Sequence, residues 1–94
     1  MAASLVDPDV FGVVFERHFA TIHGYLTRRI GRDRADDLAA DVFRVAFTNR
    51  SQFDPGRGDV RPWLYGVANN LLRQSLRAGE RAERAWSRLE PPAD

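Results

Sequence analysis

Phe11, Phe15, Phe19, Ile22, Leu26 and Ile30 recur at steps of three or four residues, and this spacing most restricts the fold. Such a period gathers the apolar side chains on one face of a helix of roughly five turns and is incompatible with a strand, whose side chains alternate. Asp7-Pro8 supplies a helix start, with Asp as N-cap and Pro in the first turn. Gly31 supplies the stop. Gly24 sits mid-helix at a propensity cost of about 1 kcal/mol, which suggests a close approach of another helix.

The same period returns twice. Asp33 reads as the cap of a second helix, with Asp36 and Asp37 in its first turn, where carboxylates complement the helix dipole. Leu38, Val42, Val45 and Ala46 form one stripe of this helix, Phe43 and Phe47 a neighbouring one, and it ends near Asn49 or Arg50. Residues 51–60 contain Asp-Pro-Gly turn chemistry and form a loop. Asp59 caps a third helix, with Pro62 in its first turn and an apolar face through Leu64, Val67, Leu71, Ser75, Ala78, Ala82 and Leu89. Gly79 is where that helix could break. No strand pattern or repeat is present, so the expectation is an all-α compact bundle of three principal helices. Residues 1–8 read as an N-terminal extension, 9–88 as the helical domain, and 89–94, with Glu90-Pro-Pro, as the start of a linker.

Ninety-four residues allow one domain with one core. The chain has no cysteine, which excludes disulfide and thiolate chemistry. No apolar run is long enough to cross a membrane and no secretory signal opens the chain, so a cytoplasmic location is expected. His18 and His23 lie five apart, off a common helical face, and read as ordinary partly buried or surface residues. Neither a Walker nor a Rossmann phosphate loop is present. Asp36, Asp37 and Asp41 are helix-start acids before they are a metal site. No metal, no cofactor and no enzymatic activity are expected.

Charge distribution says more than its sum of +1. Residues 61–94 carry six arginines against four acids, residues 1–60 eight against nine, and lysine is absent. Arg73, Arg77, Arg81, Arg84 and Arg88 are spaced 4, 4, 3 and 4, so they line one side of the third helix. Asn69 and Asn70 lie one turn before them. This stripe suits nucleic acid; it equally suits a solvated face in which Glu80 pairs with Arg77 and Arg84. Asp37 and Asp41 project together and suit an Arg-bearing protein partner, or a solvated acidic face. Trp63 reads as a core anchor more than a stacking residue, and Tyr65 fits either role.

Three segments together resemble a known family. Ala35-Asp-Asp-Leu-Ala-Ala-Asp-Val-Phe-Arg-Val-Ala-Phe47, then Phe53-Asp-Pro, then Arg61-Pro-Trp-Leu-Tyr-Gly-Val-Ala-Asn-Asn-Leu-Leu72 look like region 2 of extracytoplasmic-function (ECF) RNA polymerase sigma factors of the sigma-70 family. The likeness covers roughly residues 9–85. It implies a transcription initiation module. Asp36, Asp37, Asp41, Phe43 and Arg44 would bind the clamp helices of the RNA polymerase β′ subunit. Phe53, Asp54 and Arg57 would sit near a pocket for a base flipped from the non-template strand of the promoter −10 element. Asn70 and Gln74, with Asn69 adjacent, would read −10 bases, and Arg61, Arg73 and Arg77 would hold phosphates. Ala40, Asn69 and Gln74 depart from the residues most usual in the family. The resemblance also implies an anti-sigma factor as partner and a further C-terminal domain that reads the −35 element, so the chain reads as one domain of a longer factor. Two rival readings are an Arg-rich helical interaction domain and a duplex-binding helix-turn-helix regulator, which wants a shorter turn than residues 51–60.

Overall fold

The computed structural model describes residues 7–54, 56 and 58–89, and these form three α-helices with a short 3-10 turn. Helix α1 spans Pro8–Ile30, α2 Arg32–Thr48 and α3 Val60–Leu89, and the 3-10 turn is Arg50–Gln52. The expected all-α bundle is what forms. Asp7 caps α1 as its sequence position predicts: its carboxylate accepts from the Asp9 N–H at 2.9 Å.

The α1–α2 joint is tighter than the sequence implies. Gly31 alone closes one helix and opens the next: its N–H donates to the Thr27 carbonyl at 3.0 Å and its own carbonyl accepts from the Ala35 N–H at 3.1 Å. Its φ of 85° and ψ of 162° are backbone angles open essentially to glycine alone. Asp33 therefore lies inside the first turn of α2 and is not its cap, and Asp36 and Asp37 fall in the second turn and not the first.

Helices α1 and α2 pack antiparallel through aromatic side chains. Phe11 meets Phe47 edge-on at 5.3 Å between centroids, and Phe15 meets Phe43 at 5.1 Å. Helix α3 returns along both, parallel to α1, where the Tyr25 hydroxyl donates to the Asn69 side-chain carbonyl at 2.5 Å. The core combines Ile22 and Leu26 of α1, Ala35, Ala39, Val42 and Ala46 of α2, and Leu64 and Ala68 of α3. Alanine on the inward face of α2 lets the other two helices approach closely while larger side chains fill the gaps.

Three expectations change. Gly24 marks no close approach: a Cβ there would meet only the Arg28 guanidinium, at 3.5 Å. Helix α3 does not break at Gly79 but runs unbroken for 30 residues, because a cost of about 1 kcal/mol is small against the flanking run of Arg, Ala and Glu. The buried stripe of α3 is Val60, Leu64, Ala68 and Leu72, with Val67 and Leu71 half-buried at its edge. Every described residue from Glu80 onward is exposed, so about 15 Å of helix stands beyond the bundle.

Candidate functional site

The connection from α2 to α3 builds two adjoining clefts. Asn49 ends α2, its side-chain amide donating to the Val45 carbonyl at 3.0 Å. The 3-10 turn follows and delivers Phe53 in extended conformation against Trp63, their ring centroids 5.5 Å apart. The Asp54 carboxylate accepts from the Gly56 N–H at 2.9 Å and shapes the turn. Asp59 caps α3 as expected, accepting from the Arg61 N–H at 3.3 Å. Between these pieces lies a cleft of about 530 Å³ lined by Gln52, Phe53, Asp54, Asp59, Pro62 and Trp63. Arg57, expected beside it, lies outside the described residues.

The second cleft, of about 380 Å³, runs between the end of α2 and the outer side of α3. Four amides, Asn49, Gln52, Asn70 and Gln74, ring an apolar floor that includes Trp63, Val67 and Leu71. Gln52 and Trp63 belong to both clefts. An aromatic wall with amides around it can hold a planar ring by stacking while donating to and accepting from its edge. Trp63 packs against the core as its anchor reading expects, and being half-buried it also forms the wall between the two clefts. Asn49 and Gln52 were missed altogether. Their only sequence signal is two amides flanking the loop, and nothing but α2–α3 packing brings them opposite Asn70 and Gln74.

The two adjacent asparagines diverge. Asn70 is exposed, lines the second cleft and accepts from the Arg73 guanidinium. Asn69, about 100° around the helix, is half-buried and accepts from Tyr25, so it ties α3 to α1. Tyr65 joins that tie, edge-on to Tyr25 at 5.0 Å. Arg61, Arg73 and Arg77 are exposed. The intrahelical pairs considered for Glu80 do not form: among the described residues no carboxylate lies within 4 Å of Arg73, Arg77, Arg81, Arg84 or Arg88.

A second surface is the outward side of α2. Asp37 is exposed and Asp41 partly so, and Arg44 donates to Asp41 at 3.4 Å. Asp33 precedes Asp37 by four and extends the same acidic line. Asp36 turns instead toward α1, its carboxylate 2.6 Å from His23 Nε2. Phe43 is corrected more strongly: it is 3% exposed, enclosed by Phe15 and Phe19, and offers no surface to a partner. Phe47 is the exposed member of the pair at 39%, with the Arg50 guanidinium 3.9 Å over its ring. Among the described residues no three His, Cys, Asp or Glu side chains are placed to hold a metal ion, and no helix is long and apolar enough to cross a membrane.

Residues 14–82 match the family model of sigma-70 region 2. The chain is 33% identical over 70 residues to the RNA polymerase sigma factor CarQ of Myxococcus xanthus, covering 73% of this chain and 40% of that protein. It is 26% identical over 73 residues to the ECF RNA polymerase sigma factor BldN of Streptomyces coelicolor, covering 77% of this chain and 28% of the relative. It is also 26% identical over 78 residues to the ECF RNA polymerase sigma factor RpoE of Cereibacter sphaeroides, covering 82% and 43%. The chain thus spans less than half the length of these relatives. No solved structure gives a significant match.

Proposed function

The chain belongs to the sigma-70 region 2 family, and on that premise we propose that it is a transcription initiation module that binds RNA polymerase and the non-template strand of a melted −10 element. The observation that carries this reading is the pair of clefts divided by Trp63, ringed by amides and followed along α3 by arginines without carboxylate partners. Extruding a base from a duplex costs a few kcal/mol, which a pocket for the extruded base offsets. The Phe53–Trp63 cleft is shaped for such a base. Asn70 and Gln74, joined by Asn49 and Gln52, present amides to base edges. Arg61, Arg73 and Arg77 supply a sequence-independent, salt-sensitive hold on phosphates. The chemistry is recognition, with no covalent step for a residue to catalyse.

The outward acidic line of α2, Asp33, Asp37 and Asp41 with Arg44, is the surface we assign to the β′ clamp helices. An anti-sigma factor covering these same faces is the regulatory partner implied by the family. The eleven residues from Asn49 to Asp59 between α2 and α3 disfavour a helix-turn-helix reader of duplex DNA.

Titration of fluorescent oligonucleotides tests the DNA reading. The domain is expected to bind a −10 non-template single strand more tightly than the same sequence as duplex; equal or tighter duplex binding would support the duplex-binding helix-turn-helix reading instead. Asp37→Arg with Asp41→Arg should abolish capture by isolated β′ clamp helices and leave oligonucleotide affinity unchanged. Retained capture would remove the α2 face from the polymerase interface.

A further inference from the structure

We infer that Arg29, on α1, is a phosphate-binding residue that carries the cationic track of α3 across onto the neighbouring helix, with Tyr25 as its positioning residue. This rests on the nucleic-acid reading above and adds a contact that neither the ladder nor the family motifs contain.

The geometry starts at Tyr25. Its hydroxyl donates to Asn69 and its ring meets Tyr65 edge-on, so the ring is fixed against α3 from two sides. The Arg29 guanidinium lies over the same ring, 4.7 Å from the centroid. Arg29 is one turn beyond Tyr25 on α1, and Arg73 is one turn beyond Asn69 on α3. The helices run parallel here, so the two residues stand at about the same height, with the Arg29 guanidinium on Tyr25 and the Arg73 guanidinium on Asn70 at the edge of the second cleft. Arg77 stands one turn further on α3. None of the three has a carboxylate within 4 Å among the described residues.

Arg29, Arg73 and Arg77 are exposed cations with no carboxylate to offset them, so each is open to an anion. A guanidinium stacked on an aromatic ring keeps its N–H edges free to bind phosphate in bidentate fashion. Long side chains usually lose rotamer entropy on binding; Tyr25 has already restricted this one. The anion is a phosphodiester backbone rather than an acidic protein or a lipid surface. On α3 the exposed Arg73 and Arg77 accompany Asn70 and Gln74, whose amides line the second cleft and suit bases. A strand leaving the clefts along α3 would pass Arg29.

Salt-dependent titrations of the whole chain with the −10 single strand, bare and with a duplex flank at either end, test this. Arg29→Ala should lower the slope of log K against log salt by about 0.7 on single strand or about 0.9 on a duplex flank, one phosphate contact. It should weaken all sequences alike and leave the melting temperature unchanged. Tyr25→Leu should reproduce part of the loss, while Tyr25→Phe, which keeps the ring, should retain the slope even if stability falls. An unchanged slope in Arg29→Ala overturns the proposal, as does Arg29-dependent binding to anionic vesicles with DNA binding unaltered. If the wild-type protein showed no preference for single strand but Arg29→Ala still lowered the duplex slope, the Arg29 contact would stand and the −10 reading would fall.

Discussion

The two halves of α3 share one helix, one amphipathic pattern and one arginine ladder, yet they differ in almost everything that matters physically. In the first half Leu64 is fully buried and Trp63 divides two clefts. In the second, Trp86 is 66% exposed and Leu89 78% exposed, although Ala82, Trp86 and Leu89 continue the inward stripe. The stripe is present in both; only the first has α1 and α2 beside it. An apolar period therefore states which face a helix would bury, and the neighbouring elements decide whether it does.

The largest expected effect breaks that contrast at the core. Leu64→Ala should cost about 2–5 kcal/mol of stability, whereas Leu89→Ala should stay within about 0.5 kcal/mol. Chemical denaturation of the two variants measures both, and similar losses would mean that the outer half is packed after all. A smaller effect separates the adjacent asparagines. Asn70→Ala should reduce discrimination between −10 bases by about 1–3 kcal/mol at unchanged stability. Asn69→Ala should preserve discrimination and lower stability by about 1 kcal/mol through the orphaned Tyr25 hydroxyl. If Asn69→Ala flattened the base preference, its tie to α1 would not be its main role. The smallest effect compares the two ends of the ladder. Arg77→Ala should lower the salt slope of single-strand binding by about 0.7; Arg88→Ala, three turns beyond, should leave it unchanged. Equal slopes for the two variants would extend the DNA path along the whole helix.

Much of the fold was legible because its signals are local. The Asp7-Pro8 start, the Asp59 cap and the ends of α1 at Gly31 and α2 at Asn49 follow from chemistry within a few residues. Errors arose where the deciding partner is distant. Phe43 and Phe47 are equivalent as an i,i+4 pair, and only α1 separates them, enclosing the first between Phe15 and Phe19 and meeting the second with Phe11 alone, which leaves it half at the surface. Asp36 and Asp37 differ by one step in sequence; His23 engages Asp36 and leaves Asp37 outward. The Asp33 cap is a local exception: Gly31, two residues earlier, joins the two helices in an unusual backbone conformation without any side-chain cap.

The sequence by itself determined that this chain is three helices, the start of the first and the cap of the third, which residues are apolar on each, and the motifs that place it in the sigma-70 region 2 family. These depend on spacing and on contacts within one or two turns. The tertiary structure alone decided that Trp63 is a partition between clefts, that Asn49 and Gln52 face Asn70 and Gln74, that Asn69 is a tie, and that Arg29 stands beside the track. Each of these depends on the rotation of one helix against another. That rotation is set by the sum of many small packing contacts across the core, and no short stretch of sequence contains it.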